Sequence, residues 1–103
     1  MSIIILAATT SAVASDDFTV RGEMRAGGGH AHLTAPGIAG AEVATVQKKN
    51  ADDSYSDYYI DTLIQQITAT NTGVVVDGAG IYRVNKGATA ASVGIESSTP
   101  DAP

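Results

Sequence analysis

The sequence predicts an all-β domain: an antiparallel β-sandwich of about seven or eight short strands, with a flexible C-terminal tail. Three observations carry this expectation. Val and Ile number nine each against three Leu, and eleven Thr add further β-branched side chains. Such residues lose χ1 freedom in a helix and sit well on a pleated surface. Eleven Gly, with Ser, Asn and Asp, punctuate the apolar runs and supply turns. The runs also recur about every ten residues, the rhythm of a sandwich or barrel.

Taken in order, Ile3 to Ala8 reads as a buried first strand. With Ala12-Val13-Ala14 behind it, the run superficially resembles a secretory leader, but no Lys or Arg precedes it and it is short and β-branched. Phe18 and Val20 alternate with Thr19 and Arg21 in a short half-buried strand. Gly27-Gly28-Gly29 breaks the chain; beyond it Ala31 and Leu33 face one way while His30, His32 and Thr34 face the other. Pro36-Gly37 is a turn, and Ala41 to Gln47 a strand in which the opposite parity of Val43 and Val46 calls for a bulge or burial on both faces. Lys48 to Asp57 is expected to be the longest loop.

The segment from Asp57 to Thr70 is ambiguous. Ile60, Leu63, Ile64 and Ile67 fit the spacing of an amphipathic helix, yet Thr62, Ile64, Ile67, Thr68 and Thr70 are poor helix formers. Tyr58 to Asp61 and Leu63 to Thr70 are therefore expected to be extended. Strands follow at Val74–Val76, Ile81–Asn85 and Ser92–Ser97, with Val93 and Ile95 inward. The domain is expected to occupy residues 1–97, leaving 98–103 as the tail, since Ser-Thr-Pro-Asp-Ala-Pro has nothing to bury.

Composition limits what such a domain does. The chain has 103 residues, a net charge of -5 and no cysteine, which excludes disulfide frameworks, thiolate catalysis and cysteine-ligated metal centres. Six scattered basic residues make no nucleic-acid footprint, since binding there depends on displacing counterions with clustered positive charge. No apolar stretch approaches the length of a transmembrane helix, and neither nucleic acid nor membrane is an expected partner. With one Phe and no Trp the core must be thin. A thin-cored domain without staples often gains stability from neighbours, so assembly is expected.

Each candidate for chemistry has a plainer alternative. His30 and His32 sit at a spacing of roughly 7 Å along a strand, wide enough to share a transition metal with Glu23 or Glu42, but two imidazoles are an incomplete set. An exposed or interface pair is the expectation, and at a subunit contact its protonation near pH 6 would weaken assembly. Asn50, Asp52, Asp53 and Asp57 offer oxygens suited to calcium, without the glycine and terminal glutamate of an EF-hand; a solvated acidic loop is expected. Tyr55, Tyr58 and Tyr59 beside that loop have rings for a protein interface, for the core or, as an alternative, for stacking on sugar. No nucleophile elbow, catalytic triad setting or phosphate-binding loop is present. The chain is expected to be neither an enzyme nor the holder of a cofactor or metal. Its expected contact residues are Ile3, Ile4, Ile5, His30, His32, Tyr55, Tyr58 and Tyr59.

The C-terminal half adds a resemblance. Gly80-Ile81-Tyr82-Arg83-Val84 follows a glycine turn, and Val43-Ala44-Thr45-Val46-Gln47 leads toward the polar stretch Asp52 to Tyr55. Over about Phe18 to Ile95 this pattern of turns and strands resembles the small β-sandwich proteins of tailed bacteriophage virions. The resemblance implies a non-enzymatic virion part. The first expectation is a capsid decoration (cement) protein docked on the major capsid protein as a homo-oligomer, a trimer being favoured. A tail or fibre accessory, or a surface glycan-recognition module using the Tyr55–Tyr59 loop, is the alternative. The segments 27–32 and 60–67 depart from the pattern and inherit no role.

Overall fold

The computed structural model describes residues 2–20, 30–77 and 80–98. Among them there is no helix, and the chain forms an antiparallel β-sandwich. Its strands are β1 (Ser2–Thr9), β2 (Val13–Ala14), β3 (Phe18–Val20), β4 (His30–Thr34), β5 (Ala44–Lys49), β6 (Tyr55–Asp57), β7 (Tyr59–Ile60), β8 (Leu63–Ile64), β9 (Gln66–Ile67), β10 (Gly73–Asp77), β11 (Gly80–Lys86) and β12 (Val93–Ser98). One layer has the order β1-β12-β4-β10. The other is built on β11 and β5, with β2 and β3 along one side and β6 and β9 along the other. Several two-residue pieces are parts of longer, interrupted strands, which is why the elements outnumber the seven or eight expected.

Strict alternation builds the core. Leu33, Val74, Val76, Val93 and Ile95 point inward from the first layer; Val20, Ala44, Val46, Ile67, Tyr82 and Val84 point inward from the second. Tyr82 is fully buried, with Phe18 stacked at 6.1 Å and Tyr58 edge-on at 5.3 Å between ring centroids. Two tyrosine rings thus join the single Phe to supply bulk that the scarce Leu does not.

Turn chemistry follows the sequence closely at Ala35–Ile38. Ile38 N donates to Ala35 O, Pro36 occupies the second position, and Gly37 takes φ +91° in the third, the arrangement of a type II turn. Strand β5 begins at Ala44 rather than Ala41 because the preceding residues are held in a turn. Glu42 N donates to Ala39 O, and the Glu42 carboxylate accepts from Ala39 N. Val43 therefore precedes the strand, its carbonyl taken by Gly87 N, and the parity conflict with Val46 disappears. The loop expected from Lys48 to Asp57 is also much shorter. Lys48 and Lys49 remain in β5, Tyr55 already belongs to β6, and Asp53 closes the tip at φ +70°.

The first and last described strands lie together, β1 pairing with β12, and β12 runs on to Ser98. Ser98, expected as the first residue of the tail, is the last of β12; the rest of the expected tail, 99–103, and the break at Gly27–Gly29 lie outside the described residues. At one end of the sandwich the almost fully buried Lys86 donates its ammonium protons to the carbonyls of Ser11 and Gly87. Buried charge of this kind is tolerated only when its donors are satisfied; here they fasten the β1–β2 corner to the end of β11.

Candidate functional site: two exposed sheet edges

Among the described residues the most exposed large apolar side chains, Ile4, Leu63 and Tyr59, mark two surfaces, while Val13, Val75 and Ile81 are exposed singly. The first is β1, an edge strand. From Met1 to Ser15 the chain carries no charged side chain, and β1 contains neither Lys nor Pro, the usual guards of an unpaired edge. Its register with β12 shifts: Ile4 faces Glu96 but Leu6 faces Ile95, so Ile5 is an extra residue. Ile5 and Leu6 consequently both lean on the core, while Ile4 is 71% exposed. A second shift separates Leu6 from Thr9. There the β1 backbone passes so close to Gly94 that a Cβ would stand 2.7 Å from Leu6 O. A shallow groove lined by Ile4, Leu6, Ala8, Pro36 and Glu96 runs along this edge. Of the expected contact residues, Ile4 is presented to solvent, Ile5 is turned largely inward by the bulge, and the side chain of Ile3 lies outside the described residues.

The second surface is an arm on the opposite layer. β6 and β9 run along β5 as one strand would, meeting it at Tyr55↔Lys49, Gln47↔Asp57 and Ala44↔Ile67. Opposite Val46 the strand is interrupted. Tyr58 N donates to Val46 O, Val46 N donates to Gln65 O, and Gln65 N donates to Tyr58 O. These three bonds close the base of a six-residue excursion, the β7–β8 hairpin, with Tyr59↔Ile64 and Ile60↔Leu63 as its rungs. The tip is Asp61-Thr62, at φ +50° and +69°. Both central residues are left-handed, as in the type I′ turns that suit hairpins. Asp tolerates this region, but a β-branched Thr there is a steric outlier. Tyr59, Ile60 and Leu63 on the arm are 55%, 36% and 67% exposed. The helical spacing of Ile60, Leu63, Ile64 and Ile67 thus describes an arm and its base, not a helix face.

The three tyrosines go to three places. Tyr58, half-buried, packs against the core cluster beside Tyr82, the core place that was one of the alternatives for these rings. Tyr59 stands on the arm. Tyr55 lies on the outer face of the second layer, where the Arg83 guanidinium covers its ring at 3.6 Å and its hydroxyl donates to Asp17 at 2.6 Å. Arg83 Nε also donates to Gln47 Oε1, and Gln47 Nε2 to Asp57 Oδ1. The hydrogen bond from Tyr55, helped by Lys49 at 3.4 Å, holds the Asp17 carboxyl below its ordinary range. The same bond pushes the Tyr55 phenol up, and Asp17 raises the Lys49 ammonium. This cation–π and ion-pair network braces β3, β5, β6 and β11 from outside. It leaves Tyr55 with one ring face covered and its hydroxyl occupied, so Tyr55, Tyr58 and Tyr59 share no flat platform.

The metal-ligand candidates are likewise engaged elsewhere. Asp52 accepts from the Ser54 backbone and hydroxyl, which lowers its pKa, and Asn50 donates to Ser54 and Ser56. Glu42 bridges two loops, accepting from Ala39 N at 3.0 Å and Ala90 N at 2.8 Å, and the Ala90 bond foremost lowers its pKa. His32 is half-buried on the outer face of the first layer. It leans onto Gly73, where an added Cβ would stand 2.8 Å from Nε2. The side chain of His30, like Glu23, lies outside the described residues. Among the described residues no three of His, Asp and Glu converge as a metal site would require.

Sequence reasoning reached β1 and Tyr59 but not the arm. Its turn lacks the Asn-Gly or Asp-Gly that announces a two-residue hairpin, and the only available sign was the conflict between helical spacing and β-branched content. Comparison with protein-family models, with curated proteins and with solved structures gives no match for this chain.

Proposed function

We propose that this protein is a non-enzymatic structural component of a virion, a capsid decoration protein that docks on the outer shell and clusters there with its own copies. The observation that carries the proposal is the β1 edge: an eight-residue, uncharged strand presenting Ile4 at 71% exposure on a chain whose net charge is -5. A free edge offers unpaired N–H and C=O groups to another strand. Acidic copies repel one another over most of their surface, and a charge-free edge is where that repulsion is smallest. Burying such apolar surface against a shell returns roughly 25 cal/mol per Å² before association costs. The resemblance of the Gly80–Val84 and Val43–Gln47 strands to small virion sandwiches points the same way.

Copy number per particle tests the reading. Quantitative mass measurement of purified virions is expected to find copies on the scale of the capsid lattice, in the hundreds by the multiplicity of closed shells. A count of about six or twelve, the stoichiometry of a tail ring, overturns it in favour of a tail accessory.

A further inference from the structure

We infer that the β7–β8 arm is the anchor by which this chain enters its partner, and that its socket is an apolar pocket rimmed by Lys or Arg on a different protein; on the reading above, that protein is the capsid subunit. Three apolar side chains, Tyr59, Ile60 and Leu63, are carried clear of the sheet edge on a hairpin that buries none of them well. The fold keeps the hairpin despite a left-handed Thr62 at φ +69°. Strain of that kind persists where the surroundings fix it and is concentrated at contact sites. The base is rigid: the three Tyr58–Val46–Gln65 bonds and the packing of Tyr58 on Tyr82 tie it to the core. A rigid arm with aromatic and aliphatic ends loses little entropy on docking.

Charge selects the occupant. No Lys or Arg occurs between Lys49 and Arg83, a stretch holding five Asp, with Asp57 near the arm's base and Asp61 at its tip. Lys49 and Arg83 themselves are engaged by Asp17 and Tyr55. The groove beside β1 on a second copy is a poor host, because it contains Glu96, which would meet Asp61 with like sign. A cationic rim complements the tip and speeds the encounter.

The test is add-back of the full-length protein to shells of its own virus prepared without it, following bound protein by co-sedimentation over a range of salt. Wild type is expected to bind, more weakly as salt rises. Tyr59→Ala with Leu63→Ala is expected to weaken binding by about a hundredfold, the loss typical of two central anchors. Its far-UV spectrum and melting temperature should stay at wild-type values. Leu63→Asn, which keeps the side-chain shape, should weaken binding about tenfold on the same grounds. Asp61→Asn should lose several-fold and Asp61→Lys more. Binding by wild type and by the double variant alike overturns the arm as anchor and leaves the decoration reading standing. Absence of wild-type binding overturns both. An Asp61→Lys variant that binds more tightly overturns the cationic rim. Self-association of wild type that the double variant abolishes overturns the separate partner in favour of a second copy.

Discussion

Tyr58 and Tyr59 are neighbours in the chain with opposite fates. Tyr58 turns inward and meets Tyr82 edge-on at 5.3 Å, while Tyr59 is 55% exposed on an arm that continues away from the sheet. The core and the arm draw on the same kinds of residue: Tyr, Ile and Leu in both. What separates them is the backbone. Along β5 the strand pairs regularly and alternation sends every second side chain into the sandwich. Opposite Val46 the ladder is pinched shut by three hydrogen bonds, and beyond it Tyr59, Ile60 and Leu63 are left exposed. Apolar content alone therefore does not mark this chain's core. Pairing to a covered strand does.

The largest expected effect breaks the comparison at its buried side. Tyr82 is fully buried between Phe18 and Tyr58, so Tyr82→Ala removes the centre of the ring cluster. The expected cost is about 3–5 kcal/mol, a large share of the stability of a domain this small. Leu63→Ala, which removes a side chain 67% exposed, should stay within about 0.5 kcal/mol of wild type. Denaturant titration of the two variants checks this directly. Similar losses in both would mean that the arm is packed in solution and that the contrast with the core is false.

The same contrast explains how much of the molecule was legible in the sequence. The sandwich, the inward Val93 and Ile95, and the Pro36-Gly37 turn followed from period-two alternation and turn chemistry, which are local properties. The start of β5 did not, because it is set by Glu42 reaching Ala39 N and Ala90 N, and the second of these contacts spans 48 residues. Of the candidate contacts, Ile4 was read both as a contact and as part of a buried first strand, and its exposure corrects the second reading, while Tyr59 takes the outward place among the alternatives the tyrosines offered. The inward turns of Ile5 and Tyr58 depended on a bulge and on a pinched ladder, neither of which has a composition of its own. The Tyr55–Arg83 stack was invisible for the same reason: its partners are brought together only by β5 pairing with both β6 and β11.

A smaller effect is expected at the tip of the arm. Thr62 at φ +69° places a branched side chain where L-residues lose about 1–2 kcal/mol. Thr62→Gly removes that cost but adds freedom to the unfolded chain, worth about 0.4–1 kcal/mol. The net expectation is a gain of about 0.5–1 kcal/mol, read as a higher denaturant midpoint with unchanged slope. A loss of stability would mean that the Thr62 side chain makes a compensating contact, and the arm would then be less distinct from the core than its exposure suggests. If the strain serves to hold the tip in its docking shape, the stabilised variant should also bind shells less tightly.

The smallest effect concerns pH and falls on the core side alone. Glu42 fastens the turn before β5 to the β11–β12 loop, and its backbone donors hold its pKa below the ordinary 4.5. A carboxyl whose folded pKa is depressed contributes stability that is present above the unfolded value and is lost as pH falls through the folded one. Asp17, lowered first by Tyr55, adds to the same acid-side loss through the network on the outer face. Melting temperatures are therefore expected to be level near neutrality and to fall once the pH drops below the ordinary 4.5. Glu42→Gln keeps an acceptor for one loop but removes the titration, so it should start lower at neutral pH and lose less on acidification, with the remainder due to Asp17 and Asp52. The Leu63→Ala variant should trace the wild-type curve in parallel, because the clamp joins Glu42 to Ala39 N and Ala90 N and is built without Leu63. An unchanged acid slope in Glu42→Gln would place the acid-sensitive contacts elsewhere, and a changed slope in Leu63→Ala would tie the arm to the loops that close the core.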